Sequence, residues 1–307
     1  MNKKLGLIGA GVAVSSMLLI SSAYAGIGAD PGYEAYKSAF KNTMAIQNVT
    51  RNVSVSVEDN GSSLLNVNST IKTNGEDAIG SANVAVNNGS TEQTIQFYNQ
   101  DGQQIVKTSG SDVYQIVDIE NSDFEDKHWK HDKQADPALA QEMETILDSL
   151  VGNLKNYVSV EDEVGGVRDI HFKVSGSQIS PVVNTIGSVI IKHGSQANPS
   201  LPAPAETLGV NLSSIQDSFP KLAQDIKIES VSMNATVDAD NHITNQIAEI
   251  EISGNDGQGT THKVIVKLQM GLSDFNSTVA DTVDLEGKQI EKINPFENLK
   301  DRHGDSK

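Results

Sequence analysis

From Val49 to Ile119 apolar and polar residues take turns along the chain. Val49, Val53, Val55 and Val57 are followed by Leu65 and Val67, Val84 and Val86, Ile95 and Phe97, Ile105 and Val106, and Val113, Ile116 and Val117. In an extended chain every second side chain points the same way, so each segment has an apolar side and a side of Asn, Ser, Thr and Gln. A helix cannot bury that pattern in one stripe, whereas an antiparallel sheet with one wet face can. Asp59-Asn60-Gly61, Asn74-Gly75-Glu76-Asp77, Asn87-Asn88-Gly89 and Asp101-Gly102 interrupt the runs. These residue types tolerate the positive φ of tight hairpin turns, so about six antiparallel strands are expected here.

The flanks read differently. Asp30–Gln47 has helical spacing, with Tyr33, Tyr36, Ala39/Phe40 and Thr43/Met44 on one side, Asp30 as a cap and Pro31 in the first turn. Pro137 opens a second helix toward Tyr157, with Leu139, Met143, Ile146/Leu147, Leu150/Val151 and Leu154 three to four apart. Tyr157–Glu163 and Val167–Ser175 form a hairpin across Gly165-Gly166. Ser177–Lys192 reads as a third helix, Ala197–Pro204 as a Pro-rich loop (195–206 as a whole insertion) and Ser213–Ala223 as a short helix. Three long strands follow, Ile226–Asp238, His242–Gly254 and Thr260–Gly271, with turns at Ala239-Asp240-Asn241 and Asn255-Asp256-Gly257. The expected fold class is α+β, a single curved antiparallel sheet of about eleven strands, left unclosed and packed on several helices.

The N-terminus has the three parts of a secretory signal peptide. Lys3 and Lys4 give the positive region, Leu5 to Ile20 the apolar region, and Ala23-Tyr24-Ala25 the small residues of a cleavage site. The apolar run falls short of the roughly 20 residues that span a bilayer, so cleavage after residue 25 is expected and not a membrane anchor. The domains expected are 1–25 signal peptide, 26–293 half-barrel and 294–307 polar tail. Export places the chain outside the cytoplasm, at a Gram-positive surface, in the medium or in a periplasm. The absence of cysteine removes disulfides, thiolate metal sites, cysteine nucleophiles and a lipid-anchoring cysteine. It fits a bacterial envelope, where the triplets at Asn48, Asn52, Asn68, Asn88, Asn211, Asn234 and Asn276 are composition and not glycosylation. The net charge of −17 opposes nucleic acid and anionic bilayers as partners.

The leading helix from Tyr33, the meander Val49–Ile119, the helix Pro137–Tyr157 and the late long hairpins together resemble the extracytoplasmic lipoprotein-carrier-like half-barrels of the LolA, LppX and RseB groups. Tyr98-Asn99-Gln100-Asp101-Gly102 and Thr282-Val283-Asp284-Leu285-Glu286-Gly287-Lys288 are also similar to uncharacterised secreted proteins of spore-forming Gram-positive bacteria. The resemblance implies a curved sheet with helices on its concave side, and a hydrophobic ligand held between the two. It implies no enzymatic activity and no cofactor. The chain departs from many such proteins in lacking a lipid-anchoring cysteine and in having only 5% aromatic residues.

Three local clusters were weighed for chemistry. His128-Trp129-Lys130-His131 puts two imidazoles three apart beside Asp123, Glu125, Asp126 and Asp132, but indicates no third ligand, so no metal site is expected. Asp238-Ala239-Asp240-Asn241-His242 opens like a calcium loop but has Ile243 where that loop needs glycine, and reads as a hairpin turn. Asp118–Asp126 is acidic without the aromatic lining of a glycosidase cleft. The motifs of serine hydrolases, zinc proteases and phosphate-binding loops do not occur.

The expected function is that of a secreted, non-enzymatic protein that carries or senses a lipid or other hydrophobic ligand. Met143, Leu147, Leu150, Leu154, Val183, Ile186 and Ile190 on the helices, with Trp129 at the mouth, are the expected cavity lining. The alternative is a cell-surface structural or protein-interaction module with a filled core, for which an envelope protein is the partner.

Overall fold

The computed structural model describes residues 31–74, 80–89, 91–117, 154–179, 181, 184 and 219–293. These form one α-helix, α1 (Pro31–Met44), two single-turn 3-10 helices (Lys155–Tyr157 and Gly176–Gln178) and twelve strands. The strands are β1 (Asn48–Asp59), β2 (Ser62–Asn74), β3 (Ser81–Asn87), β4 (Glu92–Gln100), β5 (Gln103–Thr108), β6 (Tyr114–Val117), β7 (Val158–Asp162), β8 (Arg168–Ser175), β9 (Leu222–Val237), β10 (Ile243–Asp256), β11 (Thr261–Ser273) and β12 (Ile290–Ile293). All twelve belong to one sheet, ordered β12-β6-β5-β4-β3-β2-β1-β11-β10-β9-β8-β7. The end strands β12 and β7 do not pair with each other, so the sheet is unclosed. Every pairing is antiparallel except β12 on β6, which is parallel.

The six strands expected of the meander form, and so do both later hairpin sets. Asn60 and Gly61 both have positive φ, 50° and 80°, as do Asp101 and Gly102, 53° and 71°. Two-residue loops with that geometry match the twist of the strands they join. Three expectations need correction. The described residues make twelve strands where about eleven were expected, because Ile290–Ile293 adds an edge strand. Leu222 and Ala223 open β9 and do not end a helix. Among the described residues one helix, and not several, packs on the sheet; the second helix before Leu154, most of the third, the Pro-rich loop, the signal peptide and the tail from 294 lie outside them.

Register fixes two faces. Directly paired residues share a face, so Val53 lines up with Met270 on β11, Gln246 on β10, Ala235 on β9 and Ile170 on β8. This apolar face receives α1, whose Tyr33, Tyr36, Ala39 and Thr43 are buried at three-to-four spacing. The main core joins them to Val49, Val53, Phe172, Met233, Val237, Leu268 and Met270. A second cluster, Val57, Leu222, Ile252 and Val264, lies farther along the same face.

Polar contacts seat the helix. Tyr36 donates to Gln246 Oε1 at 3.2 Å, and burial pushes the phenol up to about 12. Thr43 donates to the Ala39 carbonyl at 2.7 Å and accepts the Ile243 amide at 2.8 Å. Gly32 touches β7 so closely that an added Cβ would stand 2.5 Å from the Val158 carbonyl oxygen, which only glycine permits.

The other face is wet and polar except along one end of the sheet, where residues 274–289 run from β11 across to β12. Asn48 accepts the Thr278 amide at 2.7 Å and donates to its carbonyl at 3.1 Å. The Asp281 amide donates to Ser81 at 2.9 Å, and its carboxylate meets Lys72 at 2.6 Å. Gln100 grips Val283 as Asn48 grips Thr278, accepting its amide at 2.7 Å and donating to its carbonyl at 2.8 Å. Gly80 lies beneath, where an added Cβ would stand 2.7 Å from Ala280.

Candidate functional site

The expected cavity was assigned to helices, and most of that set, Trp129, Met143, Leu147, Leu150, Val183, Ile186 and Ile190, lies outside the described residues. Leu154 is described and packs half-buried against the main core. Asn184, on the turn of the expected third helix, accepts the Ile228 amide of β9 at 2.8 Å. His128, His131 and the acidic stretch 118–126 also lie outside the described residues.

The part of the candidate site on view is the sheet. On the apolar face of β1 to β5, pairing assembles three rows of side chains. They are Val55–Val67–Val86, then Val53–Ser69–Val84–Ile95, then Arg51–Ile71–Ala82–Phe97–Val106. Val53, Ile71, Ala82 and Val106 are buried, whereas Val55, Val67, Val84, Val86, Ile95 and Phe97 are half-buried. Within a row, side chains on neighbouring strands stand about 4.8 Å apart, and apart from Arg51 and Ser69 the rows make an apolar floor.

One residue in those rows is out of character. Arg51 faces the apolar side, flanked by Ile71 on β2 and Leu272 on β11, both buried. Its Nη1 donates to Thr73 Oγ1 at 3.1 Å, and Thr73 is in turn held by the Val49 backbone, accepting its amide at 3.3 Å and donating to its carbonyl at 3.2 Å. No carboxylate pairs with Arg51 among the described residues. Burial lowers its pKa from the ordinary arginine value, and no acidic neighbour counters that. Sequence reasoning passed over Arg51 because a charge among alternating residues reads as a member of the wet face. Its odd number, shared with Val49 and Val53, was the signal.

Two further groupings bring titratable side chains together. Asp238, Asp240 and His242 bring ligand atoms within 4.8 Å of one another at the β9–β10 turn. Asp238 Oδ1 already accepts the amides of Asp240 and His242, at 3.0 and 2.8 Å, and Arg168 hydrogen-bonds the turn's Asn241. A preorganised turn beside a guanidinium is what the geometry describes, in line with the sequence reading.

At the opposite end His262 bridges two hairpins, its Nδ1 2.7 Å from Asp59 and its Nε2 3.6 Å from Asp256. Asp59 hydrogen-bonding raises the pKa of His262 against the effect of burial. That triad contains no nucleophile and has Asp59 Oδ1 buried without a hydrogen bond.

No family model matches the chain, and no curated protein does. Among solved structures it is similar to the bifunctional dehydratase-cyclase domain in ambruticin biosynthesis, at 12% identity over 84% of this chain and 89% of that one, with a TM-score of 0.13. The tesB protein of Mycobacterium avium subs paratuberculosis follows at 10% identity over 82% and 91%, TM-score 0.10. A putative thioesterase II from Thermobifida fusca gives 10% over 80% and 88%, again with 0.10. Likenesses at that level carry no argument about fold or activity.

Proposed function

We propose that this is an exported, non-enzymatic binding protein that holds a hydrophobic ligand, a lipid chain above all, against the apolar face of β1 to β5. The observation that carries the reading is the floor of half-buried aliphatic and aromatic residues, Val55, Val67, Val84, Val86, Ile95 and Phe97, in register across four strands. Burying one such side chain fully is worth about 1.5–3 kcal/mol, so a chain laid along the floor gains a usable binding energy. The half-barrel architecture, with helices closing over this floor, belongs to the same proposal, as does the signal peptide over 1–25.

A second reading rests on the other face. Across β11 and β1 to β4, Gln269, Ser54, Asn68, Ala85 and Thr94 share one row, and Gly271, Asn52, Thr70, Asn83 and Gln96 the next. Eight of those ten positions carry amides or hydroxyls and none carries a charge, in a chain with 40 acidic residues. That favours a surface for docking an envelope protein, with the core filled.

Organic extraction of protein purified without detergent, followed by mass spectrometry, separates the two. The carrier reading expects a stoichiometric lipid that is lost in Val84→Glu while circular dichroism stays unchanged. A clean extract with no uptake of added fatty acid would refute it and leave the interaction module.

A further inference from the structure

A half-buried guanidinium on an apolar face carries a cost. Arginine stays charged in proteins, and a charge withdrawn from water is stable only when paired or fully hydrogen-bonded. Among the described residues Arg51 has one hydrogen bond for its five possible donors, to Thr73. The chain has 40 acidic residues and does not place one beside it among the described residues. Three lysines of the sheet have partners elsewhere. Lys72 meets Asp281 on the polar face, Lys263 meets Glu251, and Lys107 reaches the carbonyls of Thr108 and Ser111. Arg51 is therefore a donor fork on the apolar face, held through Nη1 by Thr73 in the adjoining Val49 row and with its remaining N–H groups left for another partner.

The floor begins directly beside it. In the row of Arg51 the sequence across the strands is Ile71, Ala82 and Phe97, and the next two rows bring Val84, Ile95, Val55, Val67 and Val86. A cation at one margin of an aliphatic surface is complementary to a molecule with an anionic head and an apolar tail. Guanidinium pairs with carboxylate and phosphate through two parallel hydrogen bonds, about twice the strength of neutral ones.

We propose that the ligand is an anionic amphiphile, a fatty acid or phosphate-headed lipid, whose head group pairs with Arg51 while its tail lies on the floor of β1 to β4. This rests on the hydrophobic-ligand reading above and adds the charge and position of the head.

The test measures binding of palmitic acid and of its methyl ester to the full chain, by displacement of a fluorescent fatty acid, for wild type, Arg51→Gln and Arg51→Met. Palmitic acid binds wild type more tightly than the ester, and both variants weaken the acid by roughly 10- to 100-fold, the worth of a hydrogen bond to a charged group, leaving the ester unchanged. Arg51→Met also raises the urea midpoint of the ligand-free protein, because a lone charge leaves an apolar face. Equal binding of acid and ester, unaffected by either variant, overturns the role of Arg51 and leaves the carrier reading standing. Failure of both probes to bind any of the three proteins overturns the carrier reading itself. Competition by inorganic phosphate as strong as by palmitic acid would make Arg51 a free-anion site and overturn the amphiphile.

Discussion

At the scale of single residues, this chain uses polar side chains on its apolar face sparingly and for distinct ends. Gln246 is buried to satisfy Tyr36 and Thr43 to satisfy Ile243, so both serve the seating of α1. Arg51 serves nothing inside the described residues beyond its bond to Thr73. His262 serves as a clasp. Protonated, it donates from Nδ1 to Asp59 on β1 and attracts the Asp256 carboxylate of β10 across 3.6 Å; neutral, it loses that attraction. Its pKa is raised on folding, so its contribution is complete below the ordinary histidine value of about 6.5 and is lost as pH rises through the higher folded value. Asp256 works in the opposite sense. Its pKa is lowered, first by the Thr260 amide, so its contribution is present at neutral pH and disappears only as acid protonates it. Urea unfolding followed across pH should show a midpoint that falls on the alkaline side of about 6.5, and His262→Gln should flatten that fall. An unchanged slope in the variant would assign the alkaline loss to other groups.

Elements show what could be read from one dimension and what could not. The strands of both hairpin sets were legible because alternation and Asn-Gly or Asp-Gly turns are local signals, settled by residues a few positions apart. The edge strand Ile290–Ile293 was not, since four residues carry no period and its pairing to β6 is brought about by the segment before it. His262 was invisible for the same reason. Asp59 and Asp256 read as turn residues but are the last residues of β1 and β10, and nothing in either turn announces that β11 will put an imidazole between them. The helical cavity set was read from spacing alone, and of it only Leu154 falls within the described residues.

The segment 274–289 makes its own prediction. Asn48 and Gln100 each use one side-chain amide to copy the two hydrogen bonds of a strand neighbour. Gln100→Ala removes one such pair, at about 0.5–1.5 kcal/mol per bond. Hydrogen exchange should then show faster exchange over 281–293 with β9 to β11 unchanged. Uniform loss of protection would mean that the strap is integral to the whole sheet.

The whole molecule is organised around its first strand. β1 sits seventh of twelve in the sheet, between β2, its neighbour in sequence, and β11, near the other end of the chain. The meander and the late hairpins therefore share one seam and one apolar face, with Val53, Val55 and Val57 packing in the core clusters. Such an arrangement should unfold as a unit. Native-state hydrogen exchange in rising urea is expected to bring β1 to β4 and β9 to β11 to a common unfolding free energy. Two separate free energies would show that the meander stands alone.

That seam has a consequence in time. Thr50 on β1 pairs with Ser273 on β11. At roughly 5–20 residues per second of synthesis, Thr50 waits on the order of 10–45 s for its neighbour to be made. During that interval the ribosome holds a chain whose central strand has one free edge and an uncovered row of valines, a form that invites pairing with other chains. A protein built this way depends on being chaperoned, or kept extended, until its last third arrives.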